Sequence, residues 1–289
     1  MDSLVPTDSA ELERLAPHTT AESLMIQSKP FVREGGAGPR VICIHANASN
    51  SGQWRGLIDL LSPRHHVLAP DSFGAGKSPD WHSDRLISLT DEVALIEPML
   101  VESEHPAVLV GHSYGAAVAL VAALAHPARV RALALYEPTL FSLLDAEAPP
   151  PNEADGIRQA VHAASAALER GDQSAAAEAF IDYWMGYGTW ASTPEPRKQP
   201  IASSVANVHR WSHALFAEPK PLAAFRQLDI PVLYMVGGRS TASAHGVARL
   251  LLSALPQVQV VTFGALGHMG PVTHPEIVNA EIEKFLKRA

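Results

Sequence analysis

The stretch AVLVGHSYGAAVALVAALA, residues 107–125, decides how the rest of the chain is read. It opens on Ala107-Val108-Leu109-Val110, apolar without alternation, the pattern of a strand buried on both faces. From Gly115 to Ala125 the residues are small and apolar all round, which predicts a helix packed against a sheet. Between the two stands Gly111-His112-Ser113-Tyr114-Gly115, a G-x-S-x-G turn. A chain that passes from strand to helix this abruptly is strained at its middle residue and tolerates only small neighbours, and Gly111 and Gly115 provide that room. Ser113 is thereby placed at a helix N-terminus, where the dipole favours developing negative charge. The bland alternative, a serine that merely shapes a turn, needs strand, turn and helix to coincide by chance.

Working outward, residues 41–44, 67–69 and 132–135 are further short apolar runs bounded by turn residues, and runs at 232–236 and Val258–Phe263 come late. All read as buried strands. Helical spacing at 54–61, 89–101 and 244–255 separates them. Alternating strands and helices imply parallel pairing with right-handed crossovers. Residues 24–33 suggest an initial hairpin, followed by the turn Gly35-Gly36-Ala37-Gly38-Pro39, and 1–22 read as a polar leader. Residues 139–221 break the rhythm. Pro149-Pro150-Pro151 marks a loop, 157–170 and 174–185 are alanine-rich and amphipathic, Pro194, Pro196 and Pro200 break the next segment, and 201–216 resumes helical character. The expected organisation is one core domain from 23–138 and 222–289, interrupted by a helical cap at 139–221. Phe180, Tyr183, Trp184, Tyr187 and Trp190 crowd into that cap. They serve to pack it, and Tyr183, Trp184, Tyr187 and Trp190 are also candidates for the wall of an apolar substrate pocket.

A serine at its ordinary pKa needs a base. Gly264-Ala265-Leu266-Gly267-His268-Met269-Gly270 follows the last strand, and a loop there lies at the sheet's carboxyl edge beside Ser113. His268 is the expected base.

Here the sequence resembles the α/β-hydrolase superfamily, over about residues 24–287. The resemblance rests on His45-Ala46-Asn47-Ala48 after the first run, Asp71-Ser72-Phe73-Gly74-Ala75-Gly76-Lys77-Ser78 after the second, the serine turn, and Gly267-His268. It implies an α/β fold with a mostly parallel central sheet flanked by helices, and a helical cap inserted before the late strands. It implies hydrolysis of a small acyl substrate through an acyl-enzyme intermediate, with no cofactor and no metal. An ester is the first expectation; a thioester, a lactone or a C–C bond stays open, as does a non-catalytic ligand-binding protein on the same fold. The backbone N–H groups of Asn47 and Tyr114 would form the oxyanion hole. Ala46 stands where the family usually has glycine, so Asn47 also reads as a loop residue without duty.

The family's usual acid follows the strand matched by 232–236, but Gly237-Gly238-Arg239-Ser240-Thr241-Ala242-Ser243 carries no carboxylate. Some relatives, haloalkane dehalogenases among them, carry the acid after the strand that precedes the cap, and Glu137 stands there in Leu135-Tyr136-Glu137-Pro138. The expected triad is Ser113, Glu137 and His268. A Glu137 that only holds the cap hinge, and a dyad without an acid, stay open. The dehalogenase reaction itself is excluded, because its nucleophile is an aspartate. Asp71 falls too early in the chain and reads as loop-fixing. Arg239 reads as a loop charge, with contact to a substrate carboxylate open.

Net charge is −8 and no Lys/Arg run occurs, so nucleic acid is not an expected partner. The lone cysteine, Cys43, lies in an apolar run and reads as core. No apolar stretch approaches the roughly 20 residues that span a bilayer, and the first residues lack a basic region followed by an apolar run. The expected location is cytoplasmic, without membrane. Gly74-Ala75-Gly76-Lys77-Ser78 resembles the end of a phosphate-binding loop, but Asp71 stands where its first glycine is required. His65-His66 are adjacent and no Cys-x-x-Cys occurs, which argues against a closed zinc site. Oligomeric state is not legible.

Overall fold

A computed structural model describes residues 29–288. The expected leader, and the first part of the expected hairpin, lie outside the described residues. Seven strands form one sheet: β1 (Val32–Gly35), β2 (Arg40–Ile44), β3 (His66–Pro70), β4 (Ala107–His112), β5 (Val130–Tyr136), β6 (Val232–Gly237) and β7 (Val258–Phe263). Their spatial order is β1-β3-β2-β4-β5-β6-β7. All pairs are parallel except β1 with β3. The helices in chain order are α1 (Arg55–Leu61), α2 (Leu89–Val101), α3 (Tyr114–Ala125), α4 (Ser142–Glu147), α5 (Asp155–Glu169), α6 (Gln173–Met185), α7 (Thr189–Ser192), α8 (Glu195–Val205), α9 (Val208–Phe216), α10 (Ala242–Ala254), α11 (Gly270–Thr273) and α12 (Pro275–Leu286).

Strand residues point alternately to the two faces of a sheet, and each face needs cover. Val41 and Cys43 of β2, with Val108 and Val110 of β4, pack under α1 and α12 through Leu57, Ile58, Val278 and Ile282. Ile42 and Ile44, with Leu109 of β4, pack on the other face against α2 and α3. This is why the strands read as unbroken apolar runs. Cys43 is wholly buried in the first of these cores, and burial pushes its thiol pKa up. The chain leaves β2 toward β3 and later returns to β4 on β2's other side. The sheet order therefore reverses between β2 and β4, where open α/β sheets offer a crevice at the strands' carboxyl ends.

β1 pairs with β3, which lies between β1 and β2. Two expectations need correction. β7 is an edge strand rather than a buried one: Gln259 and Val260 are exposed, because only β6 flanks it. The prolines at 194–200 do not interrupt a helix. Pro196 occupies the first turn of α8, where its missing N–H costs nothing, and Pro200 lies inside it; the break comes instead at 206–207, before α9.

Helices α4 to α9 are inserted between β5 and β6, and their apolar faces join the α3 side of the core through Ile157, Phe180, Trp184, Val208 and Leu215. No helix of the described residues is long and apolar enough to cross a membrane.

One buried carboxyl in this core gives a stability prediction. Glu92 of α2 is 2% exposed; its carboxyl accepts from Tyr114 Oη at 3.2 Å and from the Phe73 N–H at 3.4 Å. Burial, only partly offset by these bonds, raises its pKa from 4.5 to about 8. The unfolded chain therefore gives up this proton first as pH rises. The stability held below the lower value is lost toward the upper one, at about 1.4 kcal/mol per pH unit. Glu92→Gln removes that term. Its advantage in urea midpoint over the wild type is expected to grow between about pH 5 and about pH 8; a difference independent of pH would contradict the assignment.

Candidate active site

The site is assembled at the carboxyl ends of β4 and β5. Their last paired residues are His112 and Tyr136, and the next residue on each strand is Ser113 and Glu137. Both have positive φ, 56° and 46°, a conformation that costs a non-glycine residue on the order of 1–3 kcal/mol. The backbone pins them there: Ser113 N–H donates to Tyr136 O at 2.9 Å, and Glu137 N–H to Met235 O at 3.1 Å. The flanking glycines are required by close approach. A Cβ on Gly115 would stand 2.2 Å from Ile44 O, and one on Gly111 would stand 2.5 Å from Ala116 Cα.

His268 arrives from the loop after β7. Its Nε2 is 2.9 Å from Ser113 Oγ and its Nδ1 is 2.6 Å from Glu137 Oε2. The other carboxylate oxygen, Oε1, accepts from Gly237 N–H at 2.6 Å and Ser240 Oγ at 2.5 Å. The loop after β6, which has no carboxylate of its own, thus supplies donors to the one on β5. Ser113, Glu137 and His268 are all buried. A carboxylate in such a place is tolerable because each oxygen is hydrogen-bonded. Of the two ring nitrogens, Nδ1 donates to Glu137, which leaves Nε2 free to accept from the serine hydroxyl. The structure therefore brings together the three residues of the expected triad.

Asn47 lies beside Ser113 and His268 on the same small cavity. Tyr114 opens α3, and the first N–H groups of a helix have no partner within it. The β2 and β3 loops behind them are tied together. His45 Nδ1 donates to Ala46 O at 2.7 Å, and its Nε2 accepts from Ser72 N–H at 3.0 Å. Asp71 accepts from the N–H groups of Ser51 and Lys77 at 2.6 and 2.8 Å. Ser78 Oγ donates to Asp71 O at 2.7 Å, so the segment that resembles a phosphate loop is folded onto Asp71.

Of the four aromatic candidates, only Trp184 lines the cavity that holds Ser113. Its indole stacks on the His268 imidazole, centroids 3.8 Å apart. Tyr183 faces an outer groove and hydrogen-bonds Ser243 Oγ at 2.7 Å. Trp190 is buried among the inserted helices, its indole N–H 3.2 Å from Ser174 Oγ. Tyr187 is 98% exposed, because it follows Gly186 in the turn that ends α6. Phe180 of the same aromatic group also lines it, and the residues that sequence reasoning missed are Phe141, Ile157, Val161, Val208 and Leu215, which make the cavity apolar. A signal existed: Ile157 and Val161 are one turn apart on α5, and Val208 and Leu215 two turns apart on α9.

The cavity is about 20 Å³, room for roughly one water. On the far side of Trp184 and Met269, which line both spaces, lies a groove of about 470 Å³ bordered by Arg239, Ser240 and Thr241. Two buried polar atoms of cavity residues, Asn47 Oδ1 and Thr139 Oγ1, have no protein hydrogen-bond partner. His209 and His213 stand at a His-x-x-x-His spacing on α9. Among the described residues no three His, Cys, Asp or Glu side chains gather to hold a metal.

Residues 39–275 match the family described as the alpha/beta hydrolase fold. The chain is 38% identical over 112 residues to Lipase LipV of Mycobacterium tuberculosis, covering 37% of this chain and 41% of that protein. It is 29% identical over 262 residues to the 2-(acetamidomethylene)succinate hydrolase of Mesorhizobium japonicum, covering 88% of this chain and 90% of that protein. Among solved structures, an alpha/beta hydrolase from Sphaerobacter thermophilus superposes with a TM-score of 0.65 at 24% identity, over 90% of this chain and 100% of that one.

Proposed function

The chain belongs to the alpha/beta hydrolase fold family, and from that premise we propose that it is a serine hydrolase that cleaves an ester-type acyl substrate. The observation that carries the proposal is the continuous, buried hydrogen-bonded line from Ser113 Oγ through His268 to Glu137. Ser113 Oγ attacks the carbonyl carbon while His268 Nε2 takes its proton. The oxyanion forms against the N–H groups of Asn47 and Tyr114. As the intermediate collapses, His268 returns the proton to the departing alkoxide oxygen, leaving Ser113 acylated. Water then attacks the acyl group, His268 takes its proton and gives it to Ser113 Oγ, and the acid leaves. Glu137 holds the imidazole in the tautomer both steps need and stabilises its cationic form.

In this reading residues 139–221 are a cap over the site, and residues 23–138 and 222–289 are the core domain. The apolar cavity favours an uncharged acyl group. The unpartnered Asn47 Oδ1 and Thr139 Oγ1 favour one that carries a hydrogen-bonding atom over a plain hydrocarbon. A panel of esters graded by acyl length and by polar substituent, run beside Ser113→Ala, tests the proposal. Turnover that survives in Ser113→Ala, or no turnover of any member by the wild type, would sink it.

The small cavity carries a second expectation. At about 20 Å³ it has to widen to take an ester, and Trp184, which lines both cavity and groove, is the largest residue of its wall. Trp184→Ala is expected to shift the optimum of the panel toward longer acyl chains, raising kcat/KM for the longest member about tenfold relative to the shortest. An unchanged chain-length profile would place the entrance elsewhere.

A further inference from the structure

One buried polar line has no part in the mechanism above. Ala46 N–H donates to Gln53 Oε1 at 3.2 Å. Gln53 Nε2 is 3.1 Å from His112 Nδ1, and His112 Nε2 is 2.8 Å from His268 O. Both ends are backbone groups, so the protons can be assigned along the whole line. An amide N–H can only donate, so the Gln53 oxygen faces Ala46 and its NH₂ faces His112. A carbonyl can only accept, so His112 carries its proton on Nε2 and accepts at Nδ1. A second proton on Nδ1 would point at the Gln53 NH₂. Full burial, and then the neighbouring His268, hold the His112 pKa well below the usual histidine range, which agrees with a neutral ring.

The two ends of this line matter. Ala46 precedes Asn47, whose N–H is a proposed oxyanion donor. His268 is the proposed base, and its loop is also held one residue earlier, where Tyr136 Oη donates to Gly267 O at 2.8 Å. The loops concerned leave different strands, β2 and β7, and are far apart in the chain. Neither Gln53 nor His112 lines the cavity at Ser113, and the His112 ring packs against those of Tyr136 and His268, centroids 5.5 and 5.3 Å away.

We propose that Gln53 and His112 are positioning residues, a hydrogen-bonded bridge that fixes the oxyanion loop at Asn47 relative to the base loop at His268. The proposal rests on the serine-hydrolase reading of Ser113 and His268. A misplacement near 1 Å between reacting groups costs about a hundredfold in rate, so a bridge between donor and base acts on kcat rather than on substrate affinity.

The test is steady-state kinetics on the best ester, expressed per active site titrated with a fluorophosphonate, with melting temperature recorded for each variant. Gln53→Leu and His112→Phe are expected to lower kcat per titrated site roughly tenfold to a hundredfold with KM within about twofold. The double variant is expected to be no worse than the poorer single, because either change breaks the same line. His112→Gln keeps an acceptor and a donor and is expected to recover most of what His112→Phe loses. A merely structural role would lower the melting temperature and the number of titrated sites while sparing kcat per site. That result in Gln53→Leu, the less buried position, overturns the proposal even if His112→Phe fails to fold. A wild type that takes no fluorophosphonate and cleaves no ester overturns the serine-hydrolase reading, and the bridge with it. A reactive wild type with undisturbed variants overturns the bridge alone.

Discussion

Ser113→Ala is expected to lower kcat on the preferred ester by about 10⁴-fold or more, with KM little changed and the fold intact. The hydroxyl is 2.9 Å from His268 Nε2 and is the group that would bond to the substrate carbon. Without it no acyl-enzyme can form, and only the oxyanion donors and binding remain to assist direct attack by water. The alanine costs the fold little. Ser113 makes its backbone bonds through N–H and C=O, and both survive the substitution. The strain at φ 56° remains in the variant, because it belongs to the turn and to any residue with a Cβ. A variant with wild-type turnover would show that the chemistry is carried elsewhere.

Glu137→Gln is expected to lower kcat by about 10⁴-fold while leaving the melting temperature within a few degrees. The size follows from the direction of three hydrogen bonds. Glu137 Oε1 accepts from Gly237 N–H and Ser240 Oγ, and Oε2 accepts from His268 Nδ1. In glutamine the oxygen must stay toward Gly237, since an NH₂ there would face a backbone N–H. The NH₂ then points at His268 Nδ1 and forces that nitrogen to accept. The imidazole proton moves to Nε2, where it faces Ser113 Oγ and cannot take the hydroxyl proton. Two donors would still hold the amide oxygen, so the loop after β6 keeps its anchor. Kinetics and thermal melting of the one variant therefore separate the alternatives. Wild-type turnover would leave Ser113 and His268 as a dyad and make Glu137 a hinge. Loss of the fold would make it structural.

The parts of this arrangement that were legible in the sequence are those governed by short-range physics. A strand buried on both faces has no choice but to be continuously apolar, so the β2 and β4 to β6 runs could be read directly. The tight turn at Ser113 needs glycine on both sides, and contacts near 2.5 Å at Gly111 and Gly115 explain why. Glu137 was legible by a different route, through family resemblance and the missing carboxylate in 237–243. Its positive φ and its donors from Gly237 and Ser240 were not, because they depend on which strands become neighbours. The edge position of β7 escaped for the same reason: valine-rich sequence reports strand preference, not how many neighbours a strand has. Aromatic density in the cap marked the cavity wall only in part, through Phe180 and Trp184. Tyr187 sits in a turn facing water, while aliphatic residues on the inner faces of α5 and α9 line the site. The Gln53 to His112 line has no local signature, since it joins positions 59 residues apart in the chain.

The account depends on His268 activating Ser113. Its most direct test is the rate and position of covalent labelling by a fluorophosphonate, followed by intact mass and peptide mapping, in the wild type and in His268→Ala. One adduct per chain on Ser113, formed far more slowly in His268→Ala, is the predicted result. Labelling of another residue, or labelling of Ser113 at the same rate without the imidazole, would contradict it.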